Sequence, residues 1–369
     1  MQNPAHLAFI AALLLGANSL FGQTTDAPID WNRAQKLYQR EQRGETLGAE
    51  DQAYLNKAKA ERSRNGGRQN TGNGAAQRKA PDSLKPLCDM TTDDRYEGEE
   101  GGLYGNGQNE LPTARKAAAD AALAAIKPLD GTGKPSDMGK IVLVSISMSN
   151  ATQEFSFFKR IADSDARKSG KLTIVDCAQG GQAMAEWVPA DGGPWREALS
   201  RIERAGVTPE QVQVAWVKIA NKGPAGSIQE HLEKLEADTT TVLHHAKSKF
   251  PNLKVVYLGS RIWAGNAIGG LNPEPYAYEG AFAVRHLIQK QIKGDDSLGA
   301  DETPLLLWGP YLWAEGEKGR GIDGLKYQKE DFTADGVHPS ESGREKVAKL
   351  LLEFFATDPL AKGWFRVMK

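Results

Sequence analysis

Three residues of this chain have the types and spacing for acyl transfer. Ser149 closes an apolar run, Ile141-Val142-Leu143-Val144-Ser145-Ile146-Ser147-Met148-Ser149-Asn150, and Asp335 and His338 stand three apart in Asp335-Gly336-Val337-His338-Pro339. A serine hydroxyl is a poor nucleophile until a base takes its proton, and an imidazole serves as that base when a third group fixes its tautomer. A tight turn through Gly336 brings the Asp335 carboxylate back toward the imidazole. The other histidines suit the role less: His6 falls in the N-terminal segment expected to leave as a signal peptide, and His231, His244, His245 and His286 fall in stretches of helical pattern. Each part has a plainer use as well, since serine caps helices and Asp-Gly and His-Pro build turns. The combination is what points to chemistry.

Acyl transfer also needs donors for an oxyanion, commonly a backbone NH at a glycine together with a side-chain amide. Two strand ends supply them: Asp176-Cys177-Ala178-Gln179-Gly180-Gly181, and Ala220-Asn221-Lys222.

The elements that must position these residues alternate along the chain. The run at 141 is nearly continuously apolar and β-branched, as expected of a parallel strand covered on both faces. Helical patterns at 155–167, 195–205, 228–250 and 278–292 then alternate with strand patterns at 172–177, 212–219, 253–258 and 305–308. The last helix follows a capping-box spacing, Ser342-Gly343-Arg344-Glu345, with Val347, Leu350, Leu351, Phe354 and Phe355 on one face. Such alternation predicts an α/β fold with a doubly wound, mainly parallel five-stranded sheet and helices on both faces. Ligands bind such sheets at the carboxyl ends of the strands, where Ser149 falls.

Upstream, Leu7 to Gly16 form an apolar run too short to span a membrane, followed by small residues, so residues 1–22 read as a secretory signal peptide and the protein as secreted or periplasmic. Residues 23–62 read as a helical hairpin, 63–81, rich in Gly, Asn, Gln and Arg, as a flexible linker, and 82–369 as the main domain. The acidic stretch 86–112 lacks calcium-loop spacing. With 46 basic and 47 acidic residues the net charge is -1, which gives no sign of a nucleic-acid partner. Cys88 and Cys177 have no CxxC partner and are open to one disulfide or two buried thiols. No metal or cofactor is called for, and no stable membrane insertion after signal removal.

From about residue 140 to the C-terminus the chain resembles the SGNH (GDSL-type) hydrolases, in which four short blocks contribute serine, glycine, asparagine and an Asp-x-x-His pair. The resemblance implies a flavodoxin-like fold. It makes Ser149 the nucleophile with Asp335 and His338 completing the triad, and it places the NH of Ser149, the NH of Gly181 and the amide of Asn221 in an oxyanion hole. The first block here reads Ser147-Met148-Ser149 where the family usually has Gly-Asp-Ser, and the third reads Ile219-Ala220-Asn221-Lys222 where it has Gly-x-Asn-Asp.

The expected function is that of a secreted serine esterase that deacylates, most specifically deacetylates, a carbohydrate or other small ester. Arg261, Trp263 and Glu279 are candidates for substrate binding. Trp216, Trp308, Trp313, Tyr276 and Tyr278 also lie near strand ends, with core packing the commoner fate of such aromatics. Asn150-Ala151-Thr152 matches a glycosylation sequon by chance, because a glycan there would block the site. The altered first and third blocks and the added hairpin also suit a second reading, a catalytically silent glycan-binding or scaffold protein on the same shell.

Overall fold

A computed structural model of the chain describes residues 29–42, 47–69 and 77–367. The expected signal peptide lies outside the described residues. The chain divides into two compact units, residues 1–59 and 60–369. In the first, α1 (Trp31–Gln42) and the beginning of α2 (Ala49–Gln69) pack as a hairpin around Leu37, Leu47 and Leu55. Arg33 bonds Asp51 at 2.9 Å. Helix α2 continues to Gln69, into the stretch expected to be linker. Residues 77–80, also expected to be linker, are anchored: the Gln77 amide donates to the carbonyls of Pro224 and Gly270, each at 3.0 Å, and Arg78 binds Glu279.

The second unit begins with a two-stranded antiparallel pair, β1 (Arg95–Tyr96) and β2 (Glu99–Glu100), and with helix α3 (Thr113–Ala124). The main sheet follows: β3 (Ile141–Ile146), α4 (Ser149–Asp163), β4 (Leu172–Val175), α5 (Met184–Trp187), α6 (Gly193–Arg204), β5 (Val212–Lys218), α7 (Ile228–Lys249), β6 (Val255–Gly259), α8 (Tyr276–Ile292), β7 (Leu305–Trp308), α9 (Glu341–Thr357) and α10 (Lys362–Phe365). Its order is β4-β3-β5-β6-β7, all parallel. The chain leaves β3 toward β4 on one side and then crosses back to β5 on the other. That reversal opens a crevice at the carboxyl ends of β3 and β5.

Every residue of β3 and of β5 is buried, which explains why neither strand alternates in sequence. From β3, Val142, Val144 and Ile146 pack with Trp195, Ile202, Leu235 and Phe282 on one face. Ile141 and Leu143 pack with Phe155, Phe158, Val347, Leu351 and Phe355 on the other. Removing from water a side chain of the size of Phe155 stabilises the fold by about 1.5–3 kcal/mol, so the two faces together fix the rim on which the site is built. Cys88 and Cys177 are separate buried thiols.

Two helix starts differ from expectation. Helix α4 begins at Ser149, not near 155, and α9 is capped by Ser340, whose hydroxyl accepts from Gly343 N at 3.5 Å, two residues before the expected cap.

Candidate active site

Ser149 is the first residue of α4 and follows the buried end of β3 after Ser147 and Met148, so the positive end of the helix dipole lies at its hydroxyl. Its Oγ is 2.7 Å from His338 Nε2. Nδ1 of the same ring is 2.6 Å from Asp335 Oδ2. With Nδ1–H given to the carboxylate, Nε2 is left to accept the serine proton.

The Asp335-His338 turn is held from several sides. Asp335 Oδ1 accepts from the backbone N of Val337 and of His338, both at 2.9 Å, and from the Thr333 hydroxyl at 2.8 Å. Thr333 N donates to the His338 carbonyl at 2.8 Å and Gly336 N to the Thr333 carbonyl at 2.9 Å. Burial alone would raise the Asp335 pKa, but the hydrogen bond and charge of His338, with the two backbone amides, hold it well below the usual carboxylate range. The acid is therefore ionised at any pH where the imidazole can act as a base.

Gly336 has φ +66°, and a Cβ there would lie 1.9 Å from the Asn266 carbonyl oxygen. Only glycine satisfies both conditions. The turn is tied to the serine helix through Val337, whose carbonyl accepts from Asn150 Nδ2 at 2.8 Å and from Arg261 Nη2 at 3.2 Å. Asn150 is 1% exposed, so the sequon asparagine is a buried strut between the two halves of the site.

A narrow cleft of about 40 Å³ opens here, lined among others by Ser149, Gly181, Asn221, Arg261, Leu271 and His338. Gly181 adopts φ +78° with open space around it, so its backbone conformation, not crowding, calls for glycine. Asn221 follows β5. Its Oδ1 accepts from Ala185 N at 3.1 Å and one hydrogen of Nδ2 goes to Asp238 Oδ2 at 2.7 Å. An amide nitrogen carries two hydrogens, which leaves one for a ligand in the cleft. Asn272 donates to the Asn221 carbonyl at 3.1 Å and fixes its backbone.

Behind the serine, Lys218 and Glu154 form an ion pair with 0% side-chain exposure at either end. Burial lowers the Lys218 pKa to about 8, against the pull of Glu154. Burial also pushes Asp176 up to about 6, although the hydroxyls of Ser145 and Thr152 donate to it.

Two expected substrate contacts are not in the cleft. Glu279 is fully buried and paired with Arg78, with the Tyr96 hydroxyl and with His231 Nδ1, the last two at 2.9 Å. Trp263 packs edge-on against Phe332 with ring centroids 5.8 Å apart. Trp216, Trp308, Trp313, Tyr276 and Tyr278 are at most 5% exposed and serve the core, as large aromatics usually do. Position near a strand end does not tell which way a side chain turns. Asp238, which holds the Asn221 amide, carries no local signal that distinguishes it from the other acids of α7. Asn150, beside Ser149, shows in the sequence only as part of a sequon; its bond to the Val337 carbonyl is made 187 residues away.

No protein-family model matches the chain. No curated protein matches it either. Among solved structures it is similar to a protein from Bacteroides fragilis that is described as an acylhydrolase, at 15% identity over 66% of this chain and 97% of that one, with a TM-score of 0.35. It is similar also to the periplasmic domain of a lipopolysaccharide acetyltransferase from Salmonella ser. Paratyphi A, at 14% identity over 65% and 95%, with a TM-score of 0.31. A salicylyl-acyltransferase from a tetracycline biosynthetic pathway shares 13% identity over 62% and 58%, with a TM-score of 0.31.

Proposed function

We propose that the protein is an exported serine esterase of the SGNH type that removes a short acyl group, acetyl first among them, from a carbohydrate ester. The observation that carries this reading is the hydrogen-bonded chain from Ser149 Oγ through His338 to Asp335, at 2.7 and 2.6 Å. His338 Nε2 accepts the hydroxyl proton as Ser149 Oγ attacks the ester carbonyl carbon. The carbonyl oxygen becomes an oxyanion that takes hydrogen bonds from the backbone NH of Ser149, that of Gly181 and the second amide hydrogen of Asn221. Collapse expels the alcohol, which takes its proton from His338, and leaves an acyl-enzyme. Water, giving its proton to His338, then releases the acid and returns Ser149 to its starting form. The smallness of the cleft favours a short acyl group. The apolar N-terminal run favours export, where acylated polymers are met.

The test is turnover of acetylated polysaccharides and a short-chain aryl ester by the protein and by Ser149→Ala. The variant should lose at least about 10³-fold in rate with its thermal melt unchanged. Equal turnover by the two proteins would remove the serine mechanism.

A further inference from the structure

The cleft-lining residues include Lys222, Arg261 and His338 among the charged types, and no carboxylate. Two of the three have direct partners: Lys222 pairs with Glu186 at 2.7 Å and the His338 ring bonds Asp335 at 2.6 Å. Arg261 is different. It is 3% exposed, its Nε has no hydrogen-bond partner, and Nη2 reaches only the Val337 carbonyl at 3.2 Å.

The acids whose charges act on Arg261 make their direct contacts elsewhere. Glu154 is held by Lys218, and Asp335 by His338. Glu274 accepts from Ala264 N, Trp313 Nε1 and Tyr278 N, at 2.8, 2.8 and 2.9 Å. Their charges act on the guanidinium from a distance but none of them bonds it, and a buried donor left without a partner costs stability that an acceptor on a ligand would recover. Its planar fork of donors matches a carboxylate or a sulfate in two parallel bonds.

We infer that Arg261 is a specificity-determining residue that binds an oxyanion carried by the substrate, so that the preferred ester is one on an acidic sugar. This rests on the esterase reading above. The shared chemistry is a carboxylate, as in a uronic acid, or a sulfate ester. Its partner is the guanidinium at the wall of the cleft, whose Nε is left without a hydrogen bond, beside the serine that attacks the acyl group.

The experiment compares three mono-O-acetylated methyl glycosides: of galactose, of galacturonic acid and of galactose 6-sulfate. The wild-type protein should prefer one or both anionic esters by roughly 10- to 100-fold in kcat/KM, and which of them it prefers identifies the source of the charge. Arg261→Gln should collapse that ratio, and Arg261→Lys should keep part of it. Loss of the Val337 contact alone lowers all three rates together and leaves the ratio as it was, so an unchanged ratio in both variants overturns the inference. A wild type that is indifferent to charge, or prefers the neutral ester, overturns it without any variant. Calorimetric titration of Ser149→Ala with galacturonate and with galactose separates the two layers of argument. If no ester is turned over but galacturonate binds preferentially and Arg261→Gln abolishes that preference, the esterase reading falls and the anion subsite stands. If binding shows no preference either, both fall.

Discussion

Asp335 and His338 meet at 2.6 Å across a turn whose Gly336 has φ +66°. The two oxygens of the acid divide the work. Oδ1 is saturated by Val337 N, His338 N and the Thr333 hydroxyl, and Oδ2 is left for the ring. The carboxylate is thus oriented by its own turn before it orients the imidazole.

Asp335→Asn should keep that turn and reverse the chemistry. The amide oxygen takes the place of Oδ1, and the amide NH₂ then faces His338 Nδ1. The ring answers by moving its proton to Nε2, where it can no longer receive one from Ser149. Esterase activity should fall by about 10³- to 10⁴-fold at neutral pH, read as kcat on a short-chain ester beside an unchanged circular dichroism spectrum. The variant should also lose a pH-dependent part of its stability. A carboxyl whose folded pKa is depressed stabilises the fold above its ordinary value of 3.8, and that contribution fades as pH falls through the folded value. Acid denaturation profiles of wild type and variant should therefore converge at low pH.

Gly336→Ala should be costly for two separate reasons, and Gly294 provides a control for one of them. Both glycines have left-handed backbones, with φ +66° and +81°, but a Cβ at 294 meets nothing within 4 Å, whereas at 336 it would lie 1.9 Å from the Asn266 oxygen. Gly294→Ala should cost about 1–2 kcal/mol, the strain alone. Gly336→Ala should exceed that and lower kcat, because the turn must shift under His338. Chemical denaturation midpoints and rates of the two variants check it; equal losses in stability would show that the close approach is relieved at no cost.

The parts of the fold read most easily from sequence are those whose signal is local. The all-apolar β3 reflects cover on both faces, and the spacing of Asp335, Gly336 and His338 closes one turn. That Ser149 and His338 share a rim depends on parallel strands and on the reversal of sheet order after β3, which strand and helix alternation already implies. The start of α4 was not legible, because its first turn is polar while most of it is buried. Asn150, Thr152 and Glu154 are paid for by Val337, Asp176 and Lys218, partners distant in sequence. Glu279 is of the same kind: its carboxylate is bonded by Arg78 and by the His231 ring, partners 201 and 48 residues away.

Asn221 and Asp238 allow the proposed oxyanion role to be separated from its support. Asn221→Ala removes the donor and should lower kcat by about 10²- to 10³-fold with KM little changed, since the bond forms fully only in the transition state. Asp238→Ala leaves the donor and frees its orientation, so the loss should be smaller, on the order of 10-fold. The double variant should be no worse than Asn221→Ala, because a support has nothing left to hold. Multiplying losses in steady-state kinetics would instead mean that Asp238 acts on its own.

His286 should set the alkaline limit of stability, far from the cleft. Burial acts to lower its pKa, but hydrogen bonds and charge from Glu236 and Glu99, at 2.7 and 2.8 Å, win and raise it from 6.5 to about 9. A base with a raised folded pKa contributes stability that is fully present below its unfolded value and is lost as pH rises through the folded one. The window is therefore about pH 6.5 to 9, with each tenfold in proton affinity worth about 1.4 kcal/mol before solvent at this half-buried ring reduces it. Melting temperatures of wild type should decline across that window. His286→Gln, which keeps a hydrogen-bonding side chain but cannot be charged, should be less stable at pH 6 and decline less than wild type up to pH 9. A variant whose decline parallels that of the wild type would place the alkaline loss elsewhere.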